Sequence, residues 1–293
     1  MTYRTRFAPS PTGPLHLGHA YSALLGAARA EGHGGEFLLR IEDLDRARSR
    51  ETWEAQIHED LTWLGVCYPR PVLRQSERLG AYQWALDALW AAGLLYPCTC
   101  KRRDIEAAVS APQEGAPMHG PDGLVYPGTC RKAPSGPMPD GVALRLNMAL
   151  ALDHVGPPDW IETGAGPRGE HGHIGVSRAD MLSRIGDIAV RRPQMGAAYH
   201  LAVVVDDAFQ GITEVVRGED LFDATAIHVV LQRLLGSASP QYHHHRLVRD
   251  ETGKRLAKRH DARAIRTLLN EGSTPDDILE LIGLDPPKCE SIK

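Results

Sequence analysis

Two histidines, His16 and His19, flank a Leu-Gly pair where a short strand would lead through a Pro- and Gly-rich turn into a helix. Residues 4–8 favour an extended strand, the prolines and glycine that follow interrupt regular structure, and apolar residues then recur at helical spacing. The N–H groups and positive dipole end of a helix N-terminus attract anions. The imidazoles add side-chain donors, and Gly18 lets a ligand approach the backbone closely. The segment predicts a phosphate-binding turn, with a purely structural turn as the alternative.

Carboxylates follow the next predicted strand. Residues 36–41 have the composition of a buried strand, and Glu42 and Asp43 come directly after it. In an open α/β sheet, ligands bind beyond the carboxyl ends of the strands, so these carboxylates are expected to face a ligand. An acidic turn that caps the next helix is the alternative, and it fits Asp43 and Asp45 better than Glu42.

Five side chains together have the chemistry needed to hold a dicarboxylate amino acid. Arg6 and Arg217 supply cations for the carboxylates, and Glu42 supplies an anion for the ammonium group. Tyr199 and Ser10 complete the pocket. All but Ser10 lie at or near predicted strand ends, although any one of them alone is also compatible with a structural ion pair or contact.

Three of the five cysteines lie in a region rich in proline and glycine. Cys98 and Cys100 form a Cys-x-Cys pair, and Cys130 follows a glycine turn. Three thiolates and a fourth oxygen or nitrogen donor make a closed, tetrahedral zinc site. The spacing therefore predicts one structural Zn²⁺, with His119 as one candidate for the fourth ligand. The other two cysteines are expected to be buried or incidental thiols: Cys67 and Cys289.

A basic segment, 254–259, precedes the last helical pattern. Its cations are suited to clamping a triphosphate and neutralising charge as pyrophosphate leaves. A solvated basic turn at the surface is the alternative.

Strands and helices alternate along the chain, which predicts an α/β fold with a doubly wound parallel sheet. The apolar run 200–205 is typical of a strand covered on both faces. The one G-x-G-x-x-G match, at 164–169, lies in a region dense in proline and glycine, and no Walker A sequence is present, so the pattern indicates neither a dinucleotide fold nor a P-loop. The other predicted elements are helices at 51–64, 79–92 and 224–235, a strand at 212–217, and a helical tail at 262–284.

The density of proline and glycine from Tyr96 to about Ser177 predicts a small inserted domain, because a structureless loop of that length is improbable in a compact domain. A bound metal would explain how this insertion stays folded. The predicted division is 1–95 for the first half of the α/β domain, 96–177 for the zinc-containing insertion, 178–250 for the second half, and 251–293 for the basic loop and C-terminal helices.

Composition restricts the partners. The chain has 293 residues, of which 42% are hydrophobic and 24% charged, values typical of a globular protein. It has neither an apolar run long enough for a membrane span nor the apolar core of a signal peptide. We therefore expect a cytoplasmic protein with no membrane partner. The net charge of −4 argues against sequence-independent coating of nucleic acid. RNA contact would use local basic patches, which are otherwise solvated faces: 101–103, 131–132 and 191–192.

The histidine segment resembles the His-x-Gly-His signature of class I aminoacyl-tRNA synthetases, and the run Arg-Phe-Ala-Pro-Ser-Pro-Thr-Gly at 6–13 is similar to their glutamate-specific branch. The resemblance implies a Rossmann-like doubly wound sheet, an inserted subdomain and a short C-terminal helical region. It also implies that ATP, with Mg²⁺, binds at His16, Gly18 and His19. L-Glutamate would bind at the five positions already singled out: Arg6, Ser10, Glu42, Tyr199 and Arg217.

The basic segment occupies the place of the second class I signature, Lys-Met-Ser-Lys-Ser. Aligned on that pattern, 255–259 keeps only its second lysine, Lys258. The resemblance therefore implies that Lys258 contacts the phosphates and takes part in catalysis with His16 and His19.

The cysteine pattern resembles that of the shortened glutamyl-Q tRNA(Asp) synthetases, in which tyrosine is the fourth zinc ligand. Cys98, Cys100, Tyr126 and Cys130 match it residue for residue. Only 260–293 follows the basic segment, whereas glutamyl-tRNA synthetases carry a further anticodon-binding region.

This likeness implies a monomeric ligase that transfers activated glutamate to the queuosine base in the anticodon loop of tRNA(Asp). A truncated glutamyl-tRNA synthetase that charges a tRNA 3′ end and a non-catalytic tRNA-binding paralogue are the alternatives.

Overall fold

The structure, a computed structural model, describes residues 2–109, 119–133, 136–248 and 264–284. The strands are β1 (Arg4–Phe7), β2 (Glu36–Ile41), β3 (Leu73–Arg74), β4 (Leu95–Cys98), β5 (His119–Gly120), β6 (Gly123–Leu124), β7 (Ala143–Leu146), β8 (Asp159–Glu162), β9 (Gly172–Gly175), β10 (Ala189–Arg191), β11 (Glu214–Gly218) and β12 (Gln241–His245). The helices are α1 (Leu17–Gly32), α2 (Glu51–Trp63), α3 (Leu79–Ala91), α4 (Arg102–Val109), α5 (Met148–Val155), α6 (Arg178–Asp180), α7 (Tyr199–Gln210), α8 (Thr225–Leu234), α9 (Ile265–Asn270) and α10 (Pro275–Ile282).

β1 lies at the centre of the parallel strands. It pairs in parallel with β2, and β2 pairs in parallel with β3. On its other side, the Thr213 N–H donates a hydrogen bond of 3.0 Å to the Arg4 carbonyl just before β11. β11 and β12 are parallel, as are β12 and β8, and β9 closes this group in the antiparallel sense. The strand order therefore reverses between β1 and β11, and such a switch point opens a crevice for ligands in α/β sheets.

A second, antiparallel sheet has the order β10, β7, β4. The predicted division at 177/178 does not follow the strand pairing. β8 and β9, which precede that point, belong to the sheet of β11 and β12, whereas β10, which follows it, pairs with β7. Local proline and glycine density reports where regular structure is interrupted, and it carries no information about which strands pair.

The predicted strand over 200–205 is wrong. These residues belong to α7, which contacts α3 and α8 and begins at Tyr199. Most of the first half of α7 is buried, so its apolar residues do not show the one-sided period of a surface helix. A short apolar run rich in valine cannot be distinguished by pattern from a buried strand. Gly211 ends the helix at φ +63°, a left-handed conformation that glycine adopts without strain.

Other predicted elements are confirmed within a few residues. α1, β2, α2, α3, β11 and α8 form where the sequence indicates, and α9 and α10 lie in the helical tail. α10 begins with a capping box in which the Thr274 hydroxyl accepts from the Asp277 N–H and the Asp277 carboxylate accepts from the Thr274 N–H. Among the described residues, no helix combines the length and apolar character needed to cross a membrane.

Candidate active site

A cavity of about 590 Å³ lies at the strand switch point, beside the N-terminus of α1. Its walls come from the carboxyl ends of β1, β2, β11 and β12 and from the first turn of α7. It brings together predicted site residues that are far apart in sequence: Arg6, Ser10, His16, Gly18, His19, Glu42, Tyr199 and Arg217.

Lys258, the remaining predicted catalytic residue, lies outside the described residues. The described residues on either side of 249–263 are Val248 and Ala264. Val248 lines the cavity, and Ala264 forms an antiparallel bridge with His16.

His16 and His19 form a reciprocal cap on α1. The Gly18 N–H donates to Nδ1 of His16 at 3.1 Å, and the His16 N–H donates to Nδ1 of His19 at 3.2 Å. Because both Nδ1 atoms accept, the neutral form of each ring carries its proton on Nε2. The rings stack with centroids 3.8 Å apart, and a Cβ on Gly18 would lie 3.1 Å from Cε1 of His16. The cap thus gives each ring an Nε2–H donor beside the helix N-terminus.

Arg6 is held by a buried network of charges. Its Nε and one terminal nitrogen donate to the two carboxylate oxygens of Asp207 at 2.9 and 3.2 Å. Arg40 donates to the same carboxylate at 2.6 Å and to Glu42 at 3.2 Å. Burial raises the pKa of Asp207, but the opposing effect of Arg6 and Arg40 is larger and holds that pKa below its ordinary value.

Glu42 keeps one oxygen without a protein donor among the described residues, because only Oε1 accepts from Arg40. Burial raises the pKa of Glu42, and the positive charges of Arg40 and Arg6 offset this only in part. A cationic ligand at the open oxygen would lower that pKa again and stabilise the ionised carboxylate. This is the electrostatic environment that an ammonium group requires.

Arg217 is a buried cation with neutral partners. Four of its five N–H groups donate to uncharged acceptors on His244, His228, Leu221 and Thr225. Within the described part of the chain, no carboxylate lies within the 4.0 Å that defines an ion pair with it. Arg217 is only 5% exposed, so its charge is poorly hydrated as well as unpaired among the described residues. A carboxylate ligand in the cavity would compensate it.

Tyr199 and Ser10 lie at different depths. Tyr199 occupies the first position of α7, and burial raises the pKa of its hydroxyl, so this group is a neutral donor. The prediction that a strand follows Tyr199 is corrected by α7, but the side chain still reaches the cavity. Ser10 is exposed and lies on the cavity wall.

The predicted metal ligands converge at the end of β4. The sulfur atoms of Cys98, Cys100 and Cys130 lie within 4.8 Å of one another. The Tyr126 hydroxyl is 3.4 Å from the sulfurs of Cys98 and Cys100. Tetrahedral zinc with thiolates at about 2.3 Å needs donors about 4 Å apart, so this donor set fits the ion. His119, the rival fourth ligand, is exposed and is not part of the group.

Arg145 stabilises negative charge at this cluster. Its guanidinium carbon lies 3.9 Å from the centre of the Tyr126 ring, and its Nε donates to the Cys98 sulfur at 3.4 Å. Burial raises the pKa of Cys130, but hydrogen bonds, first that from Tyr126, outweigh it and lower the pKa to about 6. Cys67 is exposed, does not belong to the cluster and takes part in a disulfide, so the prediction that it is a buried or incidental thiol is wrong.

The family model for "tRNA synthetases class I (E and Q), catalytic domain" matches residues 2–123 and 171–289. A glutamyl-Q tRNA(Asp) synthetase of Rhodobacter capsulatus is 57% identical over 96% of this chain and 99% of its own length. The chain belongs to the glutamyl-Q tRNA(Asp) synthetase family. A family member from Symbiobacterium thermophilum is 40% identical over 94% of this chain and 83% of its own length.

Solved structures agree with this family. A glutamate tRNA ligase from Elizabethkingia meningosepticum, crystallised with its amino acid, superposes with a TM-score of 0.70 at 27% identity over 88% of this chain, which spans 52% of that protein. A methionyl-tRNA synthetase of Mycobacterium tuberculosis shares the fold, with a TM-score of 0.61 at 13% identity. The predicted class I α/β fold with a parallel sheet is therefore confirmed.

Several polar residues around the site of this glutamyl-Q tRNA(Asp) synthetase family member were not predicted. Asp207 and Arg40 hold Arg6, while His228, His244 and His200 lie behind Arg217. The Asp-Asp pair at the end of the apolar run was a usable signal for Asp207, because carboxylates that follow buried segments need cationic partners. The histidines carried no spacing signal, since each lies on a different element.

Proposed function

We propose that this chain activates L-glutamate with ATP and transfers the glutamyl group to the queuosine base of tRNA(Asp). The observation that carries the proposal is that Arg217, a buried cation with neutral protein partners, shares one cavity with the capped histidine turn. A carboxylate binds at a buried cation, and a triphosphate binds at a helix N-terminus with two imidazole donors. One cavity thus has complementary groups for both substrates.

In the proposed pocket, each charged group of glutamate is bound by a residue of opposite charge. Arg217 receives the side-chain carboxylate, and the open oxygen of Glu42 receives the ammonium group. Arg6 keeps three N–H groups beyond the two used by Asp207, and these contact a carboxylate of the substrate. Tyr199 and Ser10 complete the pocket.

The first reaction joins the α-carboxylate to ATP. A carboxylate oxygen forms a bond to the α-phosphorus while the bond to the bridging oxygen of pyrophosphate breaks, which gives glutamyl-adenylate and pyrophosphate. The Nε2–H donors of His16 and His19 and the α1 N-terminus stabilise the negative charge that develops on the phosphates, together with Mg²⁺ carried by ATP and with Lys258. No side chain acts as a nucleophile, so catalysis depends on position and charge.

The three cysteines and Tyr126 would hold one structural zinc ion. The ion supplies rigidity to the end of β4 and to the chain around Cys130, a region that otherwise contains many turns. Arg145 offsets part of the negative charge that three thiolates and a phenolate bring to the site.

Glutamate-dependent exchange of radiolabelled pyrophosphate into ATP tests the first step. We expect exchange with L-glutamate, much less with L-glutamine, which lacks the charge that Arg217 requires, and none with L-lysine. Exchange that is equal for glutamate and glutamine would contradict the assignment of Arg217. No exchange with any amino acid, even with tRNA present, would favour a non-catalytic RNA-binding role.

Transfer of labelled glutamate to three RNAs tests the acceptor. We expect product with tRNA(Asp) that carries queuosine, and none with the same tRNA lacking queuosine or with tRNA(Glu). Product on the 3′ end of tRNA(Glu) would instead identify a glutamyl-tRNA synthetase. The names of the relatives, one of which this chain matches over nearly its whole length, support the queuosine acceptor.

A further inference from the structure

Behind Arg217, a line of buried histidines runs away from the cavity to the hairpin of β5 and β6. A terminal nitrogen of Arg217 donates to Nδ1 of His228 at 3.0 Å, and Nε2 of His228 lies 3.0 Å from Nδ1 of His200. Nε2 of His200 then lies 3.7 Å from a carboxylate oxygen of Asp122 in the hairpin turn. His228 and His200 are 2% and 4% exposed, and neither lines the cavity.

The direction of these hydrogen bonds is fixed at Arg217. A guanidinium has no acceptor, so Nδ1 of His228 must be unprotonated and its Nε2 must carry the proton. His228 then donates to Nδ1 of His200, which leaves the His200 proton on Nε2, towards Asp122. Burial, followed for His228 by the charge of Arg217, holds the pKa of both rings below the ordinary histidine value, and that of His200 falls to about 4.

His244 fixes the other side of Arg217. Its Nδ1 donates to Glu162 at 2.6 Å, so its Nε2 is an acceptor, and Nε of Arg217 donates to it at 3.1 Å. The guanidinium plane is therefore set by two imidazoles of opposite tautomer. Thr225 and the Leu221 carbonyl take two further N–H groups, which leaves one N–H of the guanidinium for a ligand.

We propose that His228 is a positioning residue that orients Arg217 for the carboxylate of the substrate, and that His200, beside Asp122 of the β5–β6 hairpin, has the smaller role of holding His228. The inference rests on the proposed function, because it assigns the ligand of Arg217. Its physical basis is that the terminal nitrogen bonded to His228 also carries the remaining N–H, so loss of that acceptor would let the guanidinium shift to recover a hydrogen bond and would move the ligand-facing N–H. Asp122 is itself held by the Ala189 N–H at 3.1 Å, which anchors the far end of the line to β10.

Two substitutions of His228 separate its hydrogen bonds. His228→Asn keeps an acceptor near the Nδ1 position and loses the donor to His200. His228→Gln places a donor near the Nε2 position and loses the acceptor for Arg217. We expect His228→Gln to raise the KM for glutamate about 10- to 100-fold in pyrophosphate exchange. His228→Asn should raise it less than about fivefold, and both variants should keep the KM for ATP. His58→Gln, which alters a histidine bonded to Tyr68, is the matched control with unchanged constants.

Equal glutamate KM values for the two His228 variants, or a shared rise in the KM for ATP, would overturn the proposal. A second measurement uses the unsubstituted protein, so it does not depend on whether the variants fold. Long-range ¹H–¹⁵N correlation spectra are expected to show protonated Nε2 and bare Nδ1 for both His228 and His200. A proton on Nδ1 of either ring would also overturn it. If the unsubstituted protein shows no glutamate-dependent exchange, the proposed function fails, whereas normal exchange with the wrong order of variants refutes only this inference.

Discussion

Arg6 and Asp207 lie 201 residues apart in sequence and form a two-point ion pair, with N–O distances of 2.9 and 3.2 Å. This pair distinguishes the two arginines of the cavity. Asp207 and Glu42 balance the charges of Arg6 and Arg40, whereas Arg217 has only neutral partners among the described residues. Arg217 is therefore the stronger attractant for the additional negative charge of a dicarboxylate.

Replacing Arg217 should remove most of the selectivity for glutamate. Arg217→Gln loses a buried charge-assisted hydrogen bond, worth about 3 kcal/mol, so we expect the KM for glutamate to rise about 100-fold. The preference over glutamine should largely disappear. The measurement is pyrophosphate exchange with both amino acids at several concentrations. Arg48→Gln is the control, because Arg48 also lines the cavity but is exposed and paired with Asp45. If Arg217→Gln changed the KM for glutamate and the selectivity no more than Arg48→Gln does, the assignment of Arg217 to the substrate carboxylate would be contradicted.

The role of His16 and His19 in capping α1 should be separable from their role as hydrogen-bond donors to phosphate. Asparagine places an oxygen near the Nδ1 position, so His16→Asn and His19→Asn keep the cap but lose an Nε2–H donor. We expect each to lower kcat for exchange by about 10²- to 10³-fold with little change in melting temperature. His33→Asn at the other end of α1 is the control. A large loss of stability without a catalytic defect would indicate that the two rings serve only to cap the helix.

Zinc should depend on Cys130 and not on Cys67. We expect one equivalent of zinc in the purified protein and much less than one in Cys130→Ser, because a hydroxyl replaces a thiolate ligand. Cys67→Ser is the matched control and should keep one equivalent. Metal content by mass spectrometry, with competition by a coloured chelator, measures both. Retention of a full equivalent by Cys130→Ser would refute the ligand set.

Glu214 should stabilise the fold in a pH-dependent manner. Burial raises its pKa, but hydrogen bonds from Arg29, Tyr3 and Thr163 outweigh this effect and lower the pKa to about 2. A carboxylate with a lowered folded pKa contributes stability above its unfolded pKa of about 4.5, and that contribution is lost as pH falls towards 2. We expect Glu214→Gln to lower the free energy of unfolding by about 3 kcal/mol at pH 7.

Urea denaturation at pH 7, 4 and 3 checks this prediction. The difference between Glu214→Gln and the unsubstituted protein should shrink below pH 4.5. Glu36→Gln is the control, because Glu36 forms an exposed ion pair with Arg4, and such pairs contribute less than about 1 kcal/mol. A difference that stays constant over this range would show that Glu214 acts through packing and not through its charge.

Local signals in the sequence predicted which residues line the cavity better than they predicted which strands pair. The turn at His16 could be recognised because proline, glycine and helical spacing are all local features. The register that brings Arg217 beside Arg6 depends on β1 and β11 being neighbours, which the alternation of elements only suggests. The assignment of 200–205 failed because burial on most sides removes the period that distinguishes a helix from a strand.

The supporting residues could not be predicted from local pattern. His228, His200 and His244 lie on α8, α7 and β12, and their hydrogen bonds exist only after these elements pack. Their role depends on which ring nitrogen carries the proton and on which group donates each hydrogen bond, and both are set only by contacts in the folded protein. The cysteines differ in this respect, because Cys98 and Cys100 are so close in sequence that their spacing alone keeps the two sulfur atoms near each other.

The hydrogen bond between Thr213 and Arg4 joins the first strand of the chain to a strand formed by residues synthesised much later. During translation, a nascent chain that has not yet exposed Arg217 outside the ribosome has the histidine turn but lacks the cation that we propose discriminates glutamate. Amino-acid binding should therefore arise only after β11 has been synthesised. Ribosome-bound chains that stop before β11 would be unable to consume ATP in glutamate activation.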